Sequence, residues 1–239
     1  MNLFKQDQAA KAPDKESGLV EWFLDVFWPR FGKQTSYLLL AIAVVIAAGV
    51  WWNGDRLQSQ ATENKELGKA YIYFSEDKYD STEIFLNAFA KASHSRLVQD
   101  KAHLMLGQAQ YAKAKYDDAI KSFSQIDAGN SDQPLVSSGA LHGLASCYIQ
   151  NKNYALATET LEKLVSQFGK RTGNPEEKVA GHEKVDLAPS VPNALWKLTL
   201  CYRELKNTEK EKATAQKLVK AYPESRESFD ATRLLAQIP

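Results

Sequence analysis

The sequence predicts an all-α chain, with a single N-terminal transmembrane helix followed by a solenoid of about four helical hairpins. Three observations carry this prediction. Residues Tyr37 to Trp52 contain neither a charge nor a proline. Beyond them, Tyr79, Tyr116 and Tyr154 recur at intervals of 37 and 38 residues. Around these tyrosines the apolar residues fall at helical spacings with short breaks between, the mark of stacked helical hairpins.

Composition bounds the class before any element is placed. The chain has 239 residues, of which 25% are charged, and a net charge of +1. So balanced a charge offers no general affinity for nucleic acid. The 187 residues after Trp52 are enough for one sizeable core or a short repeat array. With no cysteine close behind the apolar run, lipid attachment is not expected. The bulky Trp51-Trp52 pair and the long segment before the run argue against signal cleavage, so the anchor is expected to be retained.

In chain order, residues 1–16 are polar and aperiodic and read as a mobile tail. Residues 17–33 read as an amphipathic juxtamembrane helix, with Ser17 as its cap and Glu21 and Asp25 on a narrow polar stripe. Leu19, Val20, Trp22, Phe23, Leu24, Val26, Phe27 and Trp28 fill the remaining faces, and Pro29 marks the expected end of the helix. Such a helix lies on the bilayer surface or against a protein partner. Its acidic stripe is unlike the basic one that anionic lipid favours, and both seats stay open.

Residues 34–53 form the transmembrane helix. At 1.5 Å per residue the segment spans about 30 Å, the hydrocarbon thickness of a bilayer. Tyr37 and Trp51-Trp52 place amphipathic rings at its two interfaces. Arg30 and Lys33 precede the span, whereas Arg56 follows beside Asp55, with Lys65 and Lys69 further on. The bias is modest, but a short basic tail tends to stay inside. The expectation is a single-pass protein of the bacterial inner membrane, with a cytoplasmic N-terminus and a periplasmic C-terminal domain.

Residues 54–239 form the repeat domain. Its clearest copy, residues 100–126, carries Leu106-Gly107, Tyr116, Ala119 and Phe123, and the next, residues 138–165, carries Leu144-Ala145, Tyr148, Tyr154, Ala157, Leu161 and Leu164. Tyr79 marks an earlier copy. A fourth, Pro192 to Pro223, keeps Leu195, Leu198, Tyr202, Leu218 and Pro223. There Thr208 replaces the tyrosine and Glu211 the alanine, which leaves the register of its second helix open by about a turn. An inserted loop at 169–190, rich in Gly, Pro and charge, separates the third and fourth copies; it is either a tolerated insertion or a binding element. After Pro223, Ser225 can cap a last helix with Phe229, Leu234 and Leu235 along one face, closing the core.

Gly107, Tyr116, Ala119 and Phe123 resemble the tetratricopeptide repeat, so the fold is expected to be a tetratricopeptide-type helical-hairpin solenoid. That resemblance implies a protein-binding module and leaves the partner unnamed. Catalytic chemistry is not expected. Gly169-Lys170-Arg171-Thr172 and Gly32-Lys33-Gln34-Thr35 lack the leading glycine of a phosphate loop. His94, His103, His142 and His182 show no metal-ligand spacing, and no Cys-x-x-Cys or Gly-x-Ser-x-Gly occurs. No enzyme activity, metal, cofactor or small-molecule substrate is therefore expected. Cys147 and Cys201 hold equivalent places in successive repeats, where repeat two has Ala109. Helices pack 8–10 Å apart, beyond the reach of a disulfide near 7 Å, so no bond is expected.

The functional surface is expected on the concave side, lined by the first helix of every repeat. The alignment puts Leu67, Tyr71 and Phe74 there from repeat one, and Leu104, Gln108 and Tyr111 from repeat two. It adds His142, Ser146 and Ile149 from repeat three, and Trp196, Leu200 and Arg203 from repeat four. These would form an apolar, aromatic protein-binding groove for an extended or helical peptide, with Trp196 as an anchor. The alternative is that a neighbouring helix covers some of them. Chaperone-receptor members of the family grip a terminal carboxylate with Lys and Asn, where this chain has Leu67, Tyr71, Leu104 and Gln108. That class is therefore not expected.

The whole layout of tail, one span and small repeat domain resembles the YfgM-type ancillary subunits of the bacterial Sec translocon. The resemblance implies a membrane protein with translocon subunits, periplasmic chaperones or unfolded secreted chains as partners. Two other readings remain: a scaffold of an envelope assembly, in outer-membrane biogenesis or cell division, and an organelle import receptor with cytosolic repeats. Tyr222-Pro223-Glu224-Ser225 and the helix after it resemble other envelope repeat proteins, and the missing carboxylate grip disfavours the receptor.

Overall fold

The computed structural model describes residues 28–129, 133–171 and 186–238, with side chains from residue 37 on. The 1–16 tail, the juxtamembrane helix up to Phe27 and the centre of the insert, 172–185, lie outside the described residues. The chain divides into two compact units, residues 1–59 and 60–239.

The first helix, α1, runs Trp28–Ser75. Pro29 does not end a helix but falls in the first turn of this one, where a missing N–H breaks no helical bond, so residues 28–33 belong to the same helix as the apolar stretch. In the first unit its apolar side chains face outward; Val45, for example, is 71% exposed. From Tyr37 on, this helix is long and apolar enough to cross a membrane, with a mean hydropathy of 1.8 in its most apolar window and none of that window buried.

The second unit comprises the last turns of α1 and eight further helices among the described residues. These are α2 (Tyr79–Ala92), α3 (Arg96–Ala112), α4 (Tyr116–Ser124), α5 (Pro134–Gln150), α6 (Tyr154–Phe168), α7 (Val191–Glu204), α8 (Thr208–Ala221) and α9 (Arg226–Leu235). They pair as hairpins α1–α2, α3–α4, α5–α6 and α7–α8, with α9 packed on α8 and α7 at the end. No strand occurs among the described residues.

One turn builds all four hairpins. Asp77, Ala114, Lys152 and Lys206 adopt φ of 56–57°. At each, two backbone bonds close the helix end: in repeat two, Lys115 N–H donates to Gln110 O at 2.9 Å and Ala114 N–H to Tyr111 O at 2.9 Å. Asn153 to Tyr148 and Asn207 to Tyr202 repeat the pattern. This is the Schellman arrangement, made here without the usual glycine. Thr208 lies two residues after Lys206, just as Tyr79, Tyr116 and Tyr154 follow their own left-handed residues. The register of the fourth repeat is therefore the same as the others, without slippage.

Substitution of the two consensus residues in repeat four is absorbed locally. Asn207 caps α8 by accepting from Lys210 N–H at 3.1 Å. Glu211 is buried at the alanine place, and its carboxylate takes a 2.9 Å hydrogen bond from Arg203 Nε.

The core is contributed repeat by repeat. Leu67, Ala70, Leu86, Ala90, Val98, Ala102 and Leu106 fill the first end. In the middle, Phe123 is buried with Ala119 and Cys147. Its ring lies between two backbones: a Cβ on Gly107 would come within 2.6 Å of it and one on Gly143 within 2.4 Å. The largest cluster joins repeats three and four and takes in Ala231 of α9. Ser225 caps α9, accepting from Ser228 N–H at 3.1 Å. Of the apolar face expected there, Leu234 is buried, but Phe229 is 66% exposed, because it lies on the outer side of the helix.

The described ends of the 169–190 insert are tied together. Asp186 Oδ1 accepts from Lys170 N–H at 2.6 Å and Arg171 N–H at 3.1 Å, and Leu187 N–H donates to Phe168 O at 2.8 Å. Arg171 also pairs with Glu224. Cys147 and Cys201 are both buried and unbonded.

Candidate functional site

A groove of about 500 Å³ opens on the side of the second unit formed by the first helices of the hairpins. Phe74 from the last turn of α1, Gln108, Tyr111 and Ala112 from α3, and His142 and Ser146 from α5 line it. The Phe123 ring and the bare backbones of Gly139 and Gly143 line the same groove, and Lys197 reaches it from α7. The glycines make this shape possible. A Cβ on Gly139 would approach Leu104 to 3.2 Å, and one on Gly143 would strike the Phe123 ring.

The aromatic walls are themselves braced. The Phe74 ring meets Tyr79 edge-on with centroids 5.4 Å apart, and Tyr111 packs on Tyr116 at 5.5 Å. Gln150 Nε2 donates to the Tyr111 hydroxyl at 3.3 Å.

A polar chain runs along the α5–α7 side. Asn193 Nδ2 donates to Glu227 at 3.1 Å, which leaves its Oδ1 facing His142 Nε2 at 2.8 Å. An amide oxygen only accepts, so His142 carries its proton on Nε2. Burial holds this imidazole below its usual pKa, with the Lys197 charge adding to the effect and Asn193 opposing it. Ser146 donates to His142 O at 2.8 Å and accepts from the Lys197 ammonium at 2.7 Å. Burial likewise pushes the Lys197 ammonium below the ordinary lysine value.

The structure brings together only part of the expected groove. Phe74, Gln108, Tyr111, His142 and Ser146 line it. Leu67 does not, being 7% exposed and packed into the first core cluster. Tyr71 is 65% exposed and lies outside the lining. Leu104 packs in the middle cluster, over Gly139. Ile149 and Trp196 pack against the large core of repeats three and four. Leu200 is half-buried away from the groove. Arg203 is held by Glu211 at the hairpin turn. The common cause is that a first helix presents more than one face inward, and an outward position in one repeat meets a neighbouring helix in another.

Lys197 is the groove residue that the repeat alignment passes over. It holds the place of Gly143 in repeat three, on the flank facing the preceding repeat. Its signal in the sequence is its isolation, since it is the one charge between Val191 and Tyr202. No cluster of three His, Cys, Asp or Glu suited to a metal occurs among the described residues.

The tetratricopeptide-repeat model matches residues 140–170 and 193–225, the third and fourth hairpins. No curated protein is recognisably similar in sequence. Among solved structures, a tetratricopeptide repeat protein from Parabacteroides merdae is 18% identical with a TM-score of 0.55, over 76% of this chain and 60% of that one. The apo form of RapI is 13% identical with a TM-score of 0.59, over 74% and 47%. A putative kinesin light chain with tetratricopeptide-like repeats from Podosopora anserina is 16% identical with a TM-score of 0.53, over 73% and 84%. The chain thus spans less than two thirds of the Parabacteroides and RapI chains, and at these identities the likeness shows the fold. The shared turn geometry, the two matched hairpins and these neighbours together identify residues 60–239 as a tetratricopeptide-type helical-hairpin solenoid.

Proposed function

We propose that this chain is a membrane-anchored protein-interaction module whose repeat domain holds an apolar segment of a partner protein in the groove between α3, α5 and α7. The observation that carries the reading is the groove itself, with its aromatic walls and glycine-thinned helices. Tetratricopeptide repeats are protein-binding scaffolds, and an apolar cleft of this size suits a few side chains of a peptide. The anchor is the Tyr37–Trp52 stretch of α1, exposed and without a charge.

In the finer reading, the module faces the periplasm from the bacterial inner membrane and assists secretion at the Sec translocon, with translocon subunits, periplasmic chaperones or unfolded secreted chains as partners. Support for it comes from the chain layout and the basic pair before the span.

The experiment is photocrosslinking in cells from a reactive residue replacing Gln108, which is exposed at the groove rim, with mass spectrometry of the captured protein. Translocon subunits or secreted chains are expected. Subunits of an envelope assembly would move the protein to a scaffold role, and cytosolic chaperones would overturn its placement.

A further inference from the structure

Lys197 is a half-buried cation without an acid. Its ammonium makes one hydrogen bond, to Ser146 Oγ at 2.7 Å. Because Ser146 commits its own proton to His142 O, it offers the lysine a lone pair and no charge. No carboxylate among the described residues lies within ion-pair distance, and the thiols of Cys147 and Cys201, which burial keeps neutral, offer it no charge. His142 is neutral too and turns its N–H toward Asn193. By contrast Lys113, also well shielded, is bracketed by Asp80 and Glu83. An ammonium partly withdrawn from water, with two N–H groups free of any protein acceptor, gains from an anion that completes it.

We infer that Lys197 pairs with the carboxylate of an acidic side chain inside an apolar segment of the partner protein. Apolar residues of that segment rest on Phe74 and Tyr111, and its Asp or Glu meets the ammonium across the groove from Gln108. The acid is internal to the segment and not a chain terminus, because the rim at Gln108 and Ala112 is exposed, so a chain can enter and leave. This rests on the proposed protein-binding role of the groove and names the chemistry of what it holds.

The test uses the full-length protein in detergent micelles and three synthetic hexapeptides, all acetylated. One has a Leu-Phe-Asp-Leu centre and an amidated end, the second carries Asn for Asp, and the third carries Asn with a free terminal carboxylate. Fluorescence anisotropy should show the Asp peptide binding roughly tenfold or more tightly than the Asn peptide, the worth of one charged hydrogen bond in a partly dry site. The preference should vanish in Lys197→Met, survive in Lys197→Arg and shrink with added salt. Equal binding of the Asp and Asn peptides to the unaltered protein overturns the inference and leaves an apolar peptide groove standing. Preference for the free-carboxylate peptide overturns the internal acid. Absence of binding by every peptide up to about 1 mM overturns the groove reading as well.

Discussion

Replacing Gly143 by alanine should destabilise the repeat domain, although alanine is the better helix former. On α5 a Cβ at that position would stand 2.4, 2.6 and 2.7 Å from three atoms of the Phe123 ring. Carbon atoms in good contact stand about 3.5–4.0 Å apart, so something must move by an ångström. The ring cannot yield easily, since Phe123 is 2% exposed and the Gly107 backbone is close on its other side. Overpacking of this kind costs about 1–3 kcal/mol, against about 1 kcal/mol gained in helix propensity, so a net loss of up to about 2 kcal/mol is expected, in place of the gain that propensity alone would give. Gly68 supplies the control. A Cβ there meets nothing within 4 Å, so Gly68→Ala should stabilise by about 1 kcal/mol. Urea titration of the full-length protein in micelles, followed by far-ultraviolet circular dichroism, reads both changes at constant m-value. If Gly143→Ala stabilises as much as Gly68→Ala, the Phe123 ring is not wedged between the helices and the hairpin packing described here is wrong.

Three further outcomes follow from the packing. Trp196→Ala should lower the melting temperature by several degrees, since the ring packs on the large core; the full truncation cost of a buried tryptophan is about 3–5 kcal/mol, and Trp196 is only half-buried. Arg203→Ala should destabilise by leaving the Glu211 carboxylate buried and unpaired, and a second change, Glu211→Ala, should recover most of the loss; an additive double mutant would mean that the pair is not coupled. Stability should fall as pH drops from about 7.5 to 5.5, because burial lowers the pKa of both His103 and His142, so the unfolded chain takes up protons in that window before the folded one does. The variant His142→Gln should flatten this dependence when followed by thermal melts, and an unchanged slope would show that the imidazole titrates alike in both states.

The repeat period, the short breaks and the small residues at Gly107 and Ala119 were legible because the turn is dictated locally: the same two backbone bonds recur at Ala114, Lys152 and Lys206 whatever the side chains. For the same reason the fourth hairpin keeps its register despite Thr208 and Glu211. The groove was harder to read. Phe74, Gln108, Tyr111, His142 and Ser146 follow from the repeat alignment, but Leu67 and Trp196 sit at aligned positions and pack inward. Whether a first-helix position is open depends on the size of its neighbours in the next repeat, such as Gly139 beneath Leu104, and no single-helix pattern carries that. Lys197 reaches the groove along a stem that an alignment of short side chains does not anticipate.

In the proposed topology one helix anchors the chain and leaves the repeat domain outside the cytoplasm. A membrane-impermeant maleimide applied to intact spheroplasts tests it directly, with engineered cysteines at Lys170, exposed on the repeat domain, and within residues 1–16. The native thiols make a quiet background, since both are buried and their pKa values are pushed up to about 12 for Cys147 and about 11 for Cys201. Labelling of Lys170→Cys in intact cells, with the tail site labelled only after lysis, is the expected result. Labelling of the tail in intact cells with Lys170→Cys protected would reverse the orientation, and protection of both sites until lysis would contradict the anchor.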